Sequence, residues 1–231
     1  VIDLETEQKF VYQLPSAFEI VYPQLIDSET LLFAQNTSWY LAKNNTLTPL
    51  QLPITETILD AEYANEVLTY LTSTGIWSIN ITQDQKPVQI VKQALIKDVF
   101  VADNEYWFLA AEPSSQNLFL NRTTSKSDRP DLVTTFPYEQ GFELVDVFKG
   151  FVTISNDDTN QLLLIDTNSS PASVEQIQNA RDWQWSDDHK QLLVASEFEL
   201  TVLHFDGDRR QELLLRLSSP FSDTAWDTEE K

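Results

Sequence analysis

DWQWSDDHKQLLVASEFELTVLHFDGDRRQELL, residues 182–214, decides the fold. It opens on an aromatic run that ends at Trp185 and passes through an acidic turn, SDDHKQ, into an apolar run from Leu192. A second turn leads to a third run ending at Phe205, and a third turn to a short fourth run. Short stretches rich in branched and aromatic residues, bounded by Asp, Asn and Ser, are strands joined by hairpin turns. The same unit occurs four more times. The second runs begin at Leu31, Val67, Tyr106, Phe151 and Leu192, 36 to 45 residues apart. Each is preceded by a first run: FEIVY (18–22), ILDAEY (58–63), IKDVFV (96–101), FELVDVF (142–148) and RDWQW (181–185). Four strands repeated at a period near 40 predict an all-β chain, a β-propeller of four-stranded antiparallel blades with five recognisable units and a partial sixth.

The partial unit is split between the two ends. VIDL (1–4) and KFVYQL (9–14) read as third and fourth strands, whereas SDTAWDTEEK (222–231) matches RDWQWSDDHK (181–190) and reads as a first strand. Either the termini share one blade, or the chain is cut from a longer propeller. A shared blade would lack its second strand and leave backbone groups unpaired, so the second interpretation is the expected one. The chain has no methionine and starts at Val1, which leads to the same expectation. Residues 1–231 are thus expected to be a single β-propeller domain, excised from a larger protein.

Composition narrows the partners. A net charge of −21, from 15 basic and 36 acidic residues, argues against nucleic acid and anionic lipid, which need Lys and Arg to replace phosphate counterions. Without cysteine there is no disulfide, thiolate site or cysteine nucleophile. No apolar run reaches the roughly 18 residues of a membrane helix. With 42% hydrophobic residues the chain has material for a core.

Chemistry-bearing patterns are sparse. The GxSxG elbow, Gly-rich phosphate loops and HExxH are absent, as are the Asp-box turns of glycosidase propellers. The expectation is a non-enzyme without cofactor or metal. His189, in the acidic turn, reads as an ordinary exposed turn residue, and His204 as a strand residue with local hydrogen bonds. Only four glycines occur, so Asn and Asp are expected to supply most tight turns. The tryptophans read as sheet-packing residues, with one or two on an exposed rim. Five N-x-S/T triplets, at Asn36, Asn44, Asn80, Asn121 and Asn168, read as turn chemistry rather than glycan acceptors.

The sharpest site candidates are repeated aspartates. Asp60, Asp98, Asp182 and Asp223 each stand three residues before a large side chain, Tyr63, Val101, Trp185 and Trp226. The fourth unit breaks the pattern, with Leu144 near the expected place and Asp146 two residues later. With first strands innermost, the four aspartates would line a central channel and could attract a cation. The favoured reading is structural, each carboxylate holding nearby backbone amides.

Asp182 to Lys190, followed by LLVASEFELTVLHF (192–205), resembles the WSPDGK-type blades of TolB-type, WD-repeat-like bacterial propellers. The motif reads WSDDHK here, with Asp188 and His189 where Pro-Asp-Gly would be centred. The resemblance implies an extracytoplasmic, cell-envelope scaffold that presents loops to a protein partner. It also suggests the propeller part of a PEGA-domain envelope protein. The alternative is the substrate-gating propeller of a larger hydrolase, such as a prolyl-oligopeptidase-like peptidase.

Overall fold

The computed structural model describes residues 21–218, apart from 28–29, 36–37, 44–45, 65, 83–85, 103, 113, 125–128 and 206–209. Among the described residues there are twenty strands and no helix. The first sheet comprises β1 (Val21–Asp27), β2 (Thr30–Gln35), β3 (Ser38–Lys43) and β4 (Thr46–Leu50). The second holds β5 (Asp60–Ala64), β6 (Val67–Thr72), β7 (Gly75–Asn80) and β8 (Val88–Val91). The third holds β9 (Ile96–Ala102), β10 (Glu105–Ala111), β11 (Asn117–Thr124) and β12 (Asp131–Pro137). In the fourth are β13 (Glu143–Phe148), β14 (Phe151–Asn156), β15 (Gln161–Asp166) and β16 (Ser173–Gln178). The fifth has β17 (Asp182–Trp185), β18 (Gln191–Ala195), β19 (Glu199–His204) and β20 (Arg210–Arg216). All pairs are antiparallel and strand order follows chain order, the four-stranded blade that the repeat predicts. Both segments assigned to a partial sixth blade lie outside the described residues.

The chain divides into two compact units, Val1–Pro137 with the first three sheets and Tyr138–Lys231 with the last two. In both, the second strands are buried almost from end to end because they are covered on both faces, including polar residues such as Thr69, Thr153 and Ser155. β10, Glu105–Ala111, buries its five central residues, and β18 buries all but its first. The fourth strands sit at sheet edges and alternate or turn outward, as in β16. Facing sheets share their cores. Leu32, Ala34 and Trp39 pack with Ala61, Leu68, Tyr70 and Ile79 between the first two sheets. Leu71, Ile76 and Val91 pack with Val99, Tyr106 and Phe108 between the second and third. In the second unit Leu162 and Leu164 meet Leu192 and Val194. Truncating any fully buried leucine here to alanine removes ~2–5 kcal/mol.

Within the first unit, β5 neighbours both β1 and β9. The Tyr22 hydroxyl donates to the Ile58 carbonyl at 3.0 Å, and the Glu62 carboxylate accepts from the Val101 amide. First strands therefore meet first strands, as in the inner wall of a propeller.

Three expectations meet the described residues only in part. The first strand of the first blade, expected at 18–22, continues to Asp27, with irregular register around Pro23, which has no N–H to give the ladder; residues 18–20 lie outside the described residues. The expectation that Asn and Asp supply most tight turns rests in part on Asn36, Asn44, Asn45, Asn65, Asp103, Asp206 and Asp208, which lie outside the described residues. Among the described non-glycine residues with positive φ, Asn104, Asn160 and Asn179 stand beside Tyr22, Glu66, Leu95, Lys149 and His189. None of the described tryptophans is fully exposed, the exposed aromatic side chains among the described residues being Tyr138 and Phe198, while Trp226 lies outside the described residues. Glycine is obligatory at Gly75, where φ is 138° and a Cβ would sit 1.9 Å from the Val91 carbonyl oxygen.

Candidate functional site

The repeated aspartates share one local geometry. Asp60 Oδ1 accepts from the Ala61 amide at 2.8 Å, Asp98 Oδ1 from Val99 at 2.8 Å, and Asp182 Oδ1 from Trp183 at 2.9 Å. Each carboxylate thus binds the amide that follows it, at the first residue of the strand for Asp60 and Asp182 and at the third for Asp98. Asp223 lies outside the described residues. No group of three His, Cys, Asp or Glu side chains able to hold a metal occurs among the described residues.

Glu62, which the sequence reading passed over, is the perturbed carboxylate of the first unit. It lies two residues after Asp60 on β5, hence on the same strand face. Burial pushes its carboxyl up to about 7 and the Asp60 charge adds to the rise, while the hydrogen bond from the Val101 amide opposes it. The Asp-x-Glu spacing in a strand with one buried face was the available signal.

In the second unit two departures from the repeat meet. A bulge between Leu144 and Asp146 shifts the register of β13, and a bulge re-aims the side chain that follows it. Asp146 Oδ2 then lies 3.1 Å from His189 Nε2, so the nonconforming aspartate of one blade holds the nonconforming histidine of the next. His189 occupies the place of the motif's glycine, and its φ of 53° explains why glycine suits that place. The expectation of an exposed turn residue is wrong. The imidazole is stacked on Phe148 with ring centroids 3.8 Å apart and on Trp185 at 5.6 Å. Trp185 continues to Phe205 at 5.1 Å and donates its indole N–H to Thr153 Oγ1 at 3.0 Å. The turn below is closed by Ser186, whose hydroxyl accepts from the Gln191 amide, and by Asp188. The hydrogen bond from the Lys190 side chain, with help from the Lys190 amide and Ser186 hydroxyl, lowers the Asp188 carboxyl to about 2. These contacts clamp one blade to the next: Asp146 and Phe148 of β13 hold His189 of the β17–β18 turn.

His204 is a buried strand residue with local partners: the Gln191 amide is 3.3 Å from Nδ1, and Glu212 Oε2 is 3.2 Å from Nε2. Two triplet asparagines spend their amides on backbone, Asn121 on the Phe119 carbonyl and Asn168 on the Lys149 carbonyl. Asn80 instead accepts from the Thr82 amide and hydroxyl.

Two surface features of the second unit remain open. β20 is the outermost strand of the fifth sheet, and all seven of its residues are exposed. Yet Leu213, Leu214 and Leu215 follow one another there, with Leu217 just beyond. The other is a groove of about 550 Å³. One wall comes from Asn160, Gln178, Asn179 and Arg181, the other from the β18–β19 turn with Glu197 and Phe198. Backbone bonds fix both walls: Ala180 N donates to Asn160 O at 2.8 Å, and Ser196 N to Glu199 O at 2.9 Å.

No protein-family model matches the chain, and no curated protein sequence matches it. Solved structures do. A chain of a nidogen/laminin complex superposes with a TM-score of 0.59 at 9% identity, over 87% of this chain and 81% of that one. Hsv2 of Kluyveromyces lactis, a propeller, gives 0.54 at 12% identity, over 82% and 63%. This chain is a β-propeller fold. The extracellular domain of a putative one-component system from B. thetaiotaomicron gives 0.56 at 12% identity, over 93% of this chain and 31% of that one. The chain therefore spans under two thirds of Hsv2 and about a third of the B. thetaiotaomicron domain. Identities this low carry fold and nothing finer.

Proposed function

We propose that the chain is a non-catalytic propeller scaffold that binds a protein partner outside the cytoplasm, and that β20 is its docking strand. The observation that carries this reading is the exposed Leu213-Leu214-Leu215 run on an edge that pairs with no further strand among the described residues. Soluble proteins keep such edges short, charged or covered, because a row of free N–H and C=O groups beside apolar side chains recruits another strand. An added strand would bond to the β20 backbone, where a bulge at Leu214 puts Leu213, opposite Thr201, and Leu215, opposite Leu200, on different faces. Arg210 and Arg216 bracket the leucines in a chain of net charge −21, so the partner segment is extended, apolar at its centre and acidic at its ends. The non-catalytic assignment is supported by the absent nucleophile and phosphate-binding motifs. An envelope location of the TolB or PEGA-linked kind is supported by the WSDDHK turn and by the extracellular origin of one structural neighbour.

A photo-crosslinking residue at Leu214 in the full-length protein, in its own cell, tests this. The expected result is one dominant heterologous adduct that vanishes when Leu213 and Leu215 are replaced by Lys. No adduct, or one indifferent to that replacement, overturns the reading, as does crosslinking only to a second copy of the chain.

A further inference from the structure

We propose that the groove between the 178–181 crossover and the β18–β19 turn binds a neutral oligosaccharide. Its volume of about 550 Å³ falls within the range of small-ligand sites and accommodates two or three sugar rings. The lining selects the chemistry. Asn160, Gln178 and Asn179 bring three amide side chains to it, and none of the three has a hydrogen-bond partner among the described residues. An amide offers donor and acceptor side by side, which suits vicinal hydroxyls that both give and accept. Phe198, 40% exposed at the tip of its turn, offers a flat apolar face for the C–H face of a sugar ring.

The same lining disfavours other ligands. Arg181, the cation lining the groove, is 3.9 Å from Glu197 and Glu199 is paired with Arg216, so a phosphate or other anion would have to compete with carboxylates already in place. Glu197 and Glu199 are not joined by a third metal-ligating side chain, so a cation lacks its coordination set. An apolar ligand would strand the amides without partners.

The site is also preformed. Asn160 and Asn179 hold left-handed backbone at φ 51° and 60°, a conformation asparagine tolerates, and the Ala180 amide bond ties them together. Across the groove, the Ser196 hydroxyl accepts from the Glu199 amide at 3.1 Å, and Leu217 N donates to Phe198 O at 2.8 Å. Little ordering is left to oppose binding.

The test is titration calorimetry of the chain with chitotetraose, maltotetraose, cellotetraose and galactotetraose, each to 10 mM on the order of the weakest useful affinity. At least one is expected to bind, with the affinity lowered about tenfold in Phe198→Ala, the loss of one stacked ring contact. Asn179→Ala is expected to weaken the same sugar, while Leu214→Ala leaves it unchanged. Phe198 and Asn179 are exposed, and matching circular dichroism and melting curves confirm that these variants fold. No heat with any of the four sugars overturns the proposal, as does binding that both groove variants leave intact. Because the probe is a sugar and the control is a β20 residue, this result is independent of whether β20 docks a protein.

Discussion

Replacing Glu62 by Gln is expected to stabilise the protein at alkaline pH and to do progressively less as pH falls. The folded chain holds the Glu62 proton up to about pH 7, whereas the unfolded chain releases it near 4.5. Between those values the folded state binds more protons than the unfolded state, so this group's contribution to stability falls as pH rises and is level outside the window. At ~1.4 kcal/mol for each pKa unit, the full span amounts to ~3 kcal/mol. Gln keeps the oxygen that accepts from Val101 and removes the charge that burial and Asp60 disfavour. The assay is urea unfolding followed by tryptophan fluorescence at pH 5.5 and 8.5, both clear of the isoelectric point near 4.2. The gain of the variant over the wild type is expected to be ~2 kcal/mol larger at pH 8.5 than at 5.5. A difference that does not vary with pH, or a variant less stable at pH 8.5, would refute the reasoning. It would mean that the Val101 amide compensates a charged carboxylate in full.

The remaining predictions concern turns and the clamp. His189→Ala loses two ring contacts worth ~0.5–1.5 kcal/mol each, whereas His189→Gly loses them but relieves the positive φ by ~1 kcal/mol. The glycine variant is thus expected to be the more stable of the two in denaturant unfolding, and the reverse order would show that φ carries no strain there. Gly75→Ala, with its Cβ driven into the Val91 carbonyl, is expected to cost ~3 kcal/mol or more; a loss below ~1 kcal/mol would mean the β6–β7 turn moves freely. A carbon-detected NMR titration should find the Asp188 carboxyl titrating near pH 2, and Lys190→Ala should return it toward the usual carboxylate range.

The strand pattern was legible because second and third strands are covered on both faces and so write uninterrupted apolar runs such as LLLID and YWFLAA. Turn chemistry was less so. Glu66, Lys149 and His189 take left-handed positions that composition assigns to Asn or Gly, since tertiary contacts offset a local cost of ~1–2 kcal/mol. His189 looked exposed because a turn residue has no sequence neighbour to bury it; its cover comes from Phe148, in the preceding blade. Both halves of the clamp were nevertheless visible as misfits to the repeat, Asp146 two positions late and His189 in a glycine's place. Aligning blades for their misfits would have paired them. The groove left no such trace, because its amides come from two separate segments, the β14–β15 turn with Asn160 and the 178–181 crossover with Gln178 and Asn179, and each alone is ordinary turn composition.

The two proposed surfaces are separable in sequence but joined in structure. Glu199 closes the turn that carries Phe198 and also pairs with Arg216 at the end of β20, while Leu217 N bonds to the Phe198 carbonyl. A strand added along β20 would therefore run beside the residues that brace one wall of the groove, and Arg216 belongs to both. Substituting Arg216 confounds the two activities, whereas Leu214 and Phe198 each touch one. The ion pair itself is exposed on both sides and contributes little stability, ~0–1 kcal/mol. Loss of sugar binding in Arg216→Ala with an unchanged melting temperature would accordingly report a displaced turn, not a destabilised blade.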